Sequence, residues 1–193
     1  MKVLGITGGV GSGKSEVLRY MEEEYGAVVC QLDEVAKALQ KKGTDCYDKI
    51  IEQFGLEVTG ENEELDRKKL AAIIFQDENK RRILNGIVHP EVKKWVEQDI
   101  TEKKKRGVPL YVIEAALLPE AGYEDICQEM WYIYTEESVR RERLKKSRGY
   151  SDETISRMIR SQSPESVFRK ACHIVIDNSG TFERTKKQIG EQL

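Results

Sequence analysis

The sequence lacks the marks of a metal, disulfide, membrane or polyelectrolyte protein. It has only two histidines, His89 and His173, and neither has a second histidine or a cysteine at metal-ligand spacing, which argues against a zinc site. Its four cysteines, Cys30, Cys46, Cys127 and Cys172, lie far apart and form no C-x-x-C pair, so they read as reduced thiols. No stretch approaches the roughly 18 consecutive apolar residues of a membrane span. The opening MKVLGITGG is too short and too glycine-interrupted for a signal peptide, so a cytoplasmic address with no membrane partner is expected. Lys plus Arg number 32 against 34 Asp plus Glu, a net charge of -2, and such a chain does not coat nucleic acid or anionic lipid in bulk. Any anion it binds must meet locally focused charge.

What remains is a chain of 193 residues, the size of one globular unit with a small insertion. Its apolar residues, 39% of the total, arrive in clusters that fill one core and exclude a disordered chain. Five short runs read as strands: Val3 to Thr7, Ala27 to Leu32, Leu110 to Glu114, Met130 to Tyr134 and His173 to Asp177. They lack polar alternation and are separated by helical patterns such as Val17, Leu18 and Met21, which is the form of a parallel sheet covered on both faces. Between Thr44 and Arg106 no strand is evident. Helical patterns fall there around Ile50 to Phe54, Leu70 to Phe75, Ile83 to Val88 and Val92 to Ile100, with His89-Pro90 expected to end one helix and open the next. The expected division is a core of residues 1–43, 107–135 and 163–193, a helical insertion of 44–106 and a helical lid of 136–162. Ser151 and Ser163-Pro164 are expected helix starts within the last third.

Residues 8 to 15 read GGVGSGKS and satisfy G-x-x-x-x-G-K-[ST] through Gly8, Gly13, Lys14 and Ser15, after an apolar strand and before an amphipathic helix. The chemistry explains the residue types. Glycines let successive backbone amides converge on phosphate oxygens, and the helix that follows adds its positive end. Lys14 bridges the terminal phosphates of ATP and Ser15 holds Mg2+ in such a loop. An ordinary glycine turn is the plainer reading, yet Gly8, Gly9, Gly11 and Gly13 in so short a stretch cost chain entropy that a turn does not need.

A phosphate cradle does not by itself name a reaction. A GTP switch needs an N-K-x-D guanine reader, whereas the Asn79-Lys80 pair continues as Arg81-Arg82, and the formal D-x-x-G of Asp177 to Gly180 follows the last strand. Asp33 closes the second strand, where a carboxylate faces the ligand crevice and can receive an acceptor hydroxyl, or else caps a helix before Glu34. Glu114 ends LYVIE, the form of a Walker B strand that orders Mg2+ through its waters, though any strand can end in a carboxylate. The run Arg140 to Arg148 holds six basic residues in nine and is either a solvated helix face or a lid that closes on transferring phosphate, with Arg143 and Arg148 the candidates. Nucleic-acid binding is disfavoured because no aromatic except Tyr150 accompanies the run. His89 either contacts substrate or caps a helix.

TGGVGSGKS, a strand ending in Asp33, LDRKKLAAIIF, IVHPEV and a late VIDNSG occur in one order, from Val3 to Gly180. Together they resemble the dephospho-CoA kinase family. The resemblance implies an α/β P-loop NTPase of three α/β/α layers on a five-stranded parallel sheet, with an inserted helical region for the CoA precursor and a helical lid. It implies transfer of the ATP γ-phosphoryl group, with Mg2+, to the ribose 3'-hydroxyl of the small-molecule substrate dephospho-CoA. Carried over by motif, Gly11 to Ser15 bind the ATP phosphates, Asp33 matches the acceptor-side aspartate, and His89-Pro90, Arg148 and Gln162 match recurring family positions. With the residue chemistry above, Lys14, Asp33, Arg143 and Arg148 are expected to be catalytic, and Gly8, Gly9, Gly11, Ser12, Gly13, Lys14, Ser15 and Glu16 to hold the nucleotide. Asp33, His89, Glu120 and Gln162 meet the acceptor, and Ser15 with Glu114 serves the metal. A monomer or small homo-oligomer is expected.

Three departures stand out. The family's Asp-x-Asp is Gln31-Leu32-Asp33 here, which leaves any basic role to Asp33 because glutamine cannot take a proton. The family's P-L-L-F-E appears as Ala116-Leu117-Leu118-Pro119-Glu120, and Glu16 stands where threonine is usual. Two other functions share the loop: a nucleoside monophosphate kinase with a different acceptor pocket, and an ATP-binding regulatory protein that phosphorylates nothing.

Overall fold

The computed structural model describes residues 1–116, 118 and 122–193. It divides into two compact units, one formed by Met1–Cys30 and Lys103–Leu193 and the other by Gln31–Glu102.

The first unit is built on a sheet of β1 (Lys2–Thr7), β2 (Ala27–Gln31), β3 (Leu110–Glu114), β4 (Glu129–Tyr134) and β5 (Ile174–Asp177). Strand order is β2-β3-β1-β4-β5, all parallel. Lys2 aligns with Leu110, Leu4 with Glu129, and Trp131 with Ile174. The five strands match the five apolar runs to within one residue at each end, because most of those ends are marked by glycine, proline or charge.

Both faces of the sheet are covered, which is why the strands do not alternate with polar residues. On one face Leu4, Ile6, Val112, Trp131, Ile133 and Ile176 meet Val17, Leu18 and Met21 of α1 (Lys14–Tyr25) and Ile189 of α9 (Phe182–Gly190). On the other, Tyr132 stacks on Phe168 of α8 (Glu165–Ala171) with ring centroids 5.0 Å apart. Gly5 leaves room there for Leu118, whose Cδ2 would lie 2.7 Å from a Cβ at position 5. The chain is therefore an α/β P-loop NTPase of three layers.

The strand order places the loop. From β1 the chain passes first toward β2 and β3, then crosses to β4 and β5 on the other side. Ligands bind where the strand order reverses, beyond the carboxyl ends of the strands. Residues 8–13 leave β1 at that point.

Between β4 and β5 lie α6 (Glu137–Arg148), α7 (Asp152–Arg160) and α8. Gly149 ends α6 in the left-handed conformation at φ 64°, and the Ser151 hydroxyl caps α7 by accepting from the Thr154 amide.

The second unit holds α2 (Leu32–Leu39), α3 (Asp45–Phe54), α4 (Arg67–Gln76) and most of α5 (Glu78–Lys105). Thr44 caps α3 at the Tyr47 amide, and the Asp66 carboxylate caps α4 at the amides of Lys68 and Lys69. Those amides hold the Asp66 carboxyl below its ordinary range. Lys49 of α3 pairs with Glu91 of α5. The expected break at His89-Pro90 does not occur: α5 runs 28 residues straight through Pro90. Leu84, Val88, Val92 and Val96 recur every fourth residue and are all buried, so one packed stripe spans the proline. That burial outweighs the roughly 3 kcal/mol an internal proline costs. The units part at residues 30/31 and 102/103, so α2, which packs on α3, lies in the unit of Gln31–Glu102.

Candidate active site

The β1–α1 loop has the geometry its glycines require. Gly11 and Gly13 sit at φ 77° and 83°, in the left-handed region where a Cβ is strained. The Ser12 amide donates to the Gly9 carbonyl at 3.1 Å, and the Gly13 carbonyl receives the amides of Glu16 and Val17. Helix α1 thus starts at Gly13 with no side-chain cap among the described residues, and its positive end opens beside Lys14 and Ser15.

The loop is packed closely from behind. A Cβ at Gly8 would lie 2.7 Å from the Ile133 carbonyl oxygen, one at Gly9 would strike the Arg140 guanidinium, and one at Gly13 would overlap the Asn178 amide. The glycines therefore serve close approach as well as curvature. Lys14 lies folded along the loop, its Nζ donating to the Gly8 carbonyl at 2.6 Å and standing 3.6 Å from a Glu114 carboxylate oxygen. Both side chains are only 15% exposed, so this pair is less screened than a surface ion pair.

In front of the loop is a cavity of about 850 Å³. Residues 9–16 form one wall, and Arg143, Leu144, Lys146, Ser147, Arg148, Tyr150 and Met158 form the other. Lys14, Arg143, Lys146 and Arg148 outnumber the single acidic residue, Glu16, so the cavity favours an anion and its size suits a nucleotide. Helical spacing explains the second wall. Positions 140, 143, 144 and 147 share one face of α6, while Arg141 turns away to Glu137 at 2.7 Å and Ser156 at 3.0 Å.

The residues predicted from sequence fall into four sets. Gly9, Gly11, Ser12, Gly13, Lys14, Ser15, Glu16, Arg143 and Arg148 line the cavity, with Gly8 and Glu114 touching Lys14 behind it. Gln162 meets the crown of the loop, its amide oxygen accepting from the Val10 amide and from Arg140, both at 3.0 Å. Asp33, exposed in the first turn of α2, and His89, exposed in the middle of α5, belong to the second unit. Glu120 lies outside the described residues, as do Leu117 and Pro119 of the same segment.

A family model described as dephospho-CoA kinase matches residues 2–184. The chain belongs to the dephospho-CoA kinase family. It is 37% identical to a dephospho-CoA kinase of Carboxydothermus hydrogenoformans over 98% of this chain and 91% of that one. It is 35% identical to one of Geobacter sulfurreducens over 99% and 96%. Among solved structures, a Thermus thermophilus protein superposes with a TM-score of 0.82 at 28% identity, covering 99% of this chain and 95% of that one.

The chain is thus a kinase that passes phosphate from ATP to a hydroxyl of a small molecule, and its cavity fits the donor. The Ser12 hydroxyl is buried without a hydrogen-bond partner among the described residues, in a loop packed too closely for a Cβ at Gly8, Gly9 or Gly13. An unsatisfied buried hydroxyl costs about 1–3 kcal/mol, which a phosphate oxygen would remove. The donor set suits Mg2+, which takes one or two protein oxygens besides phosphate and water: Ser15 lines the cavity and the Glu114 carboxylate stands beside Lys14. No helix among the described residues is long and apolar enough to cross a membrane.

Sequence reasoning missed the residues that hold this kinase's loop. Arg140 donates from Nε to the Val10 carbonyl at 2.8 Å and from Nη2 to Gln162, with no carboxylate paired to it among the described residues. Burial pulls its guanidinium below the ordinary value. Thr135 and Asn178 reach the Ser12 carbonyl at 2.9 and 2.8 Å. Arg140 was visible only as part of a basic run, and Asn178 only as a letter of VIDNSG.

Proposed function

We propose that the chain transfers the γ-phosphoryl group of ATP to the ribose 3'-hydroxyl of dephospho-CoA, giving CoA and ADP, the last step of coenzyme A synthesis. The observation that carries this is the glycine cradle with its folded lysine and cationic cavity, in a chain that belongs to the dephospho-CoA kinase family along nearly its whole length. The acceptor oxygen bonds to the γ-phosphorus while the bond to the β–γ bridging oxygen breaks, and the freed electron pair leaves with ADP.

The chain's own residues do positional and electrostatic work. The amides and side chains of Gly8 to Glu16 take the phosphates. Lys14 exchanges the Gly8 carbonyl for β- and γ-oxygens, and Arg143 and Arg148 offset charge on the group in transit. Asp33 accepts a hydrogen bond from the acceptor hydroxyl and takes its proton late, with no help from Gln31. His89 and Glu120 contact the acceptor. Gln162, whose oxygen the loop engages, reaches it only through its amide nitrogen. Ser15, with Glu114 acting through water, would hold Mg2+, which would supply positive charge to the phosphates. The four cysteines are buried and none is in a disulfide, which supports a cytoplasmic site of action.

The test is ADP release from ATP and Mg2+ with dephospho-CoA, AMP, CMP, UMP or no acceptor, the product confirmed by mass. Turnover on dephospho-CoA alone is expected. Turnover on a nucleoside monophosphate instead, or ATP binding with no turnover, would refute the assignment.

A further inference from the structure

We infer that Asn178 is a positioning residue for the phosphate loop, acting through the carbonyl of Ser12. The inference rests on the reading of that loop as the ATP site, and goes beyond it by naming what keeps the loop's amides aimed.

Asn178 follows β5 directly. Its own amide donates to the Tyr134 carbonyl at 2.8 Å, extending the β4–β5 ladder, and the residue is only 1% exposed. The side chain has one sensible orientation. Its Oδ1 accepts from the Thr185 hydroxyl at 2.8 Å, which turns Nδ2 toward the Ser12 carbonyl oxygen, also at 2.8 Å. The opposite orientation would set two oxygens against each other. Thr185 is fully buried and cannot offer its proton to water.

The consequence follows from peptide geometry. No peptide in the described chain is cis, so the Ser12 carbonyl and the Gly13 N–H lie in one plane and point in opposite directions. Holding the carbonyl back against Asn178 therefore turns the Gly13 N–H the other way, away from the buried side of the loop. The same asparagine reaches the arginine wall, since its backbone carbonyl accepts from Arg143 Nη2 at 2.8 Å while Arg143 Nη1 stands 3.4 Å from the Ser12 oxygen. Asn178 thus ties a loop amide and a cavity cation to the end of β5 without touching the ligand. Thr135 alone cannot replace it, because its single hydroxyl proton is divided between the Ser12 and Tyr134 carbonyls at 2.9 and 2.8 Å.

The experiment measures ATP binding without acceptor by titration calorimetry, and KM for ATP and for dephospho-CoA in turnover, for wild type, Asn178→Ala, Asn178→Asp and Thr185→Val. Asn178→Ala is expected to weaken ATP about tenfold, the loss of one buried hydrogen bond and the aim it sets, with KM for the acceptor changed less than about twofold. Asn178→Asp is the decisive variant. Ionised, it opposes the Ser12 carbonyl and binds ATP more weakly than the alanine variant at pH 8. Protonated, it regains a donor, so its affinity recovers toward wild type as pH falls to 5.5, while that of the alanine variant does not. If the position 178 variants do not fold, Thr185→Val, which leaves the amide untethered, must show the same loss confined to ATP. Unchanged ATP affinity, equal losses for both substrates, or no recovery of Asn178→Asp at low pH would overturn the inference. Wild type that binds ATP but phosphorylates no acceptor would refute the proposed function and leave these binding comparisons standing. Wild type that binds no ATP would refute both.

Discussion

Substituting Gly13 by alanine should cost far more than the same change at other left-handed glycines, and the structure says by how much. At φ 83° an alanine carries backbone strain of roughly 1–2 kcal/mol. Its Cβ would also overlap Asn178 Nδ2, so that amide must leave. Departure forfeits the bond to the Ser12 carbonyl, about 0.5–1.5 kcal/mol, and leaves the buried Thr185 hydroxyl only a marginal contact to the Asp177 carbonyl at 3.5 Å, a cost of about 1–3 kcal/mol. The sum is about 3–6 kcal/mol. For a chain of this size each kcal/mol shifts Tm by about 2–4 °C, so a fall of about 6–24 °C is expected. Gly26 is the control. It caps α1 at φ 59°, but a Cβ there meets nothing nearer than Pro109 Cγ at 3.8 Å. Gly26→Ala should therefore show strain alone, with Tm lower by about 2–8 °C. The assay is calorimetric or circular-dichroism melting of both variants and wild type without nucleotide. If Gly13→Ala melts within error of Gly26→Ala, the steric part of the reasoning is wrong and the Asn178 contact is slack.

Other consequences are as direct. Lys14→Met should keep its fold and lose on the order of 10² or more in kcat, as when one preorganised charge-stabilising donor is removed; near wild-type turnover would dismiss the loop's assigned role. Asp33→Asn should bind ATP normally while kcat collapses, because asparagine keeps the shape and loses the basicity; a change in KM alone would make Asp33 a binding residue. Burial pushes the thiols of Cys127 and Cys172 up to about 12 and about 11, above the ordinary 9.0. Because folding raises these values, their stabilising contribution is complete below pH 9 and drains as pH climbs toward 11–12, when only the unfolded chain ionises freely, at up to ~1.4 kcal/mol per pH unit for each thiol. Urea midpoints should accordingly fall between pH 8 and 10.5, less steeply for Cys127→Ala than for wild type, and parallel slopes would refute this.

The local features of the molecule were legible in the sequence. The strands were marked because a parallel strand buried on both faces must be an apolar run between breakers, and the loop was marked because only glycine supplies its backbone. The same locality misled at Pro90, where a proline reads as a stop but Leu84, Val88, Val92 and Val96 bury a continuous stripe. Glu114 was visible as a strand-end carboxylate, and the structure adds that it stands beside Lys14, whereas Asp33, expected to close β2, lies in the first turn of α2 because the strand ends at Gln31.

The sequence alone therefore determined the sheet, the phosphate cradle and the family, since each is written in neighbouring residues whose backbone and side-chain chemistry admit few alternatives. Only the tertiary structure decided what secures the cradle. Ser12 meets Thr135 and Asn178 across 123 and 166 residues, and Val10 meets Gln162 across 152. It also separated the arginines of one basic run, setting Arg140 behind the loop and Arg143 and Arg148 along the cavity. No periodicity announces such contacts, because they exist only once β4 has been laid beside β1 and β5 beside β4, which brings the ends of distant segments together under one loop.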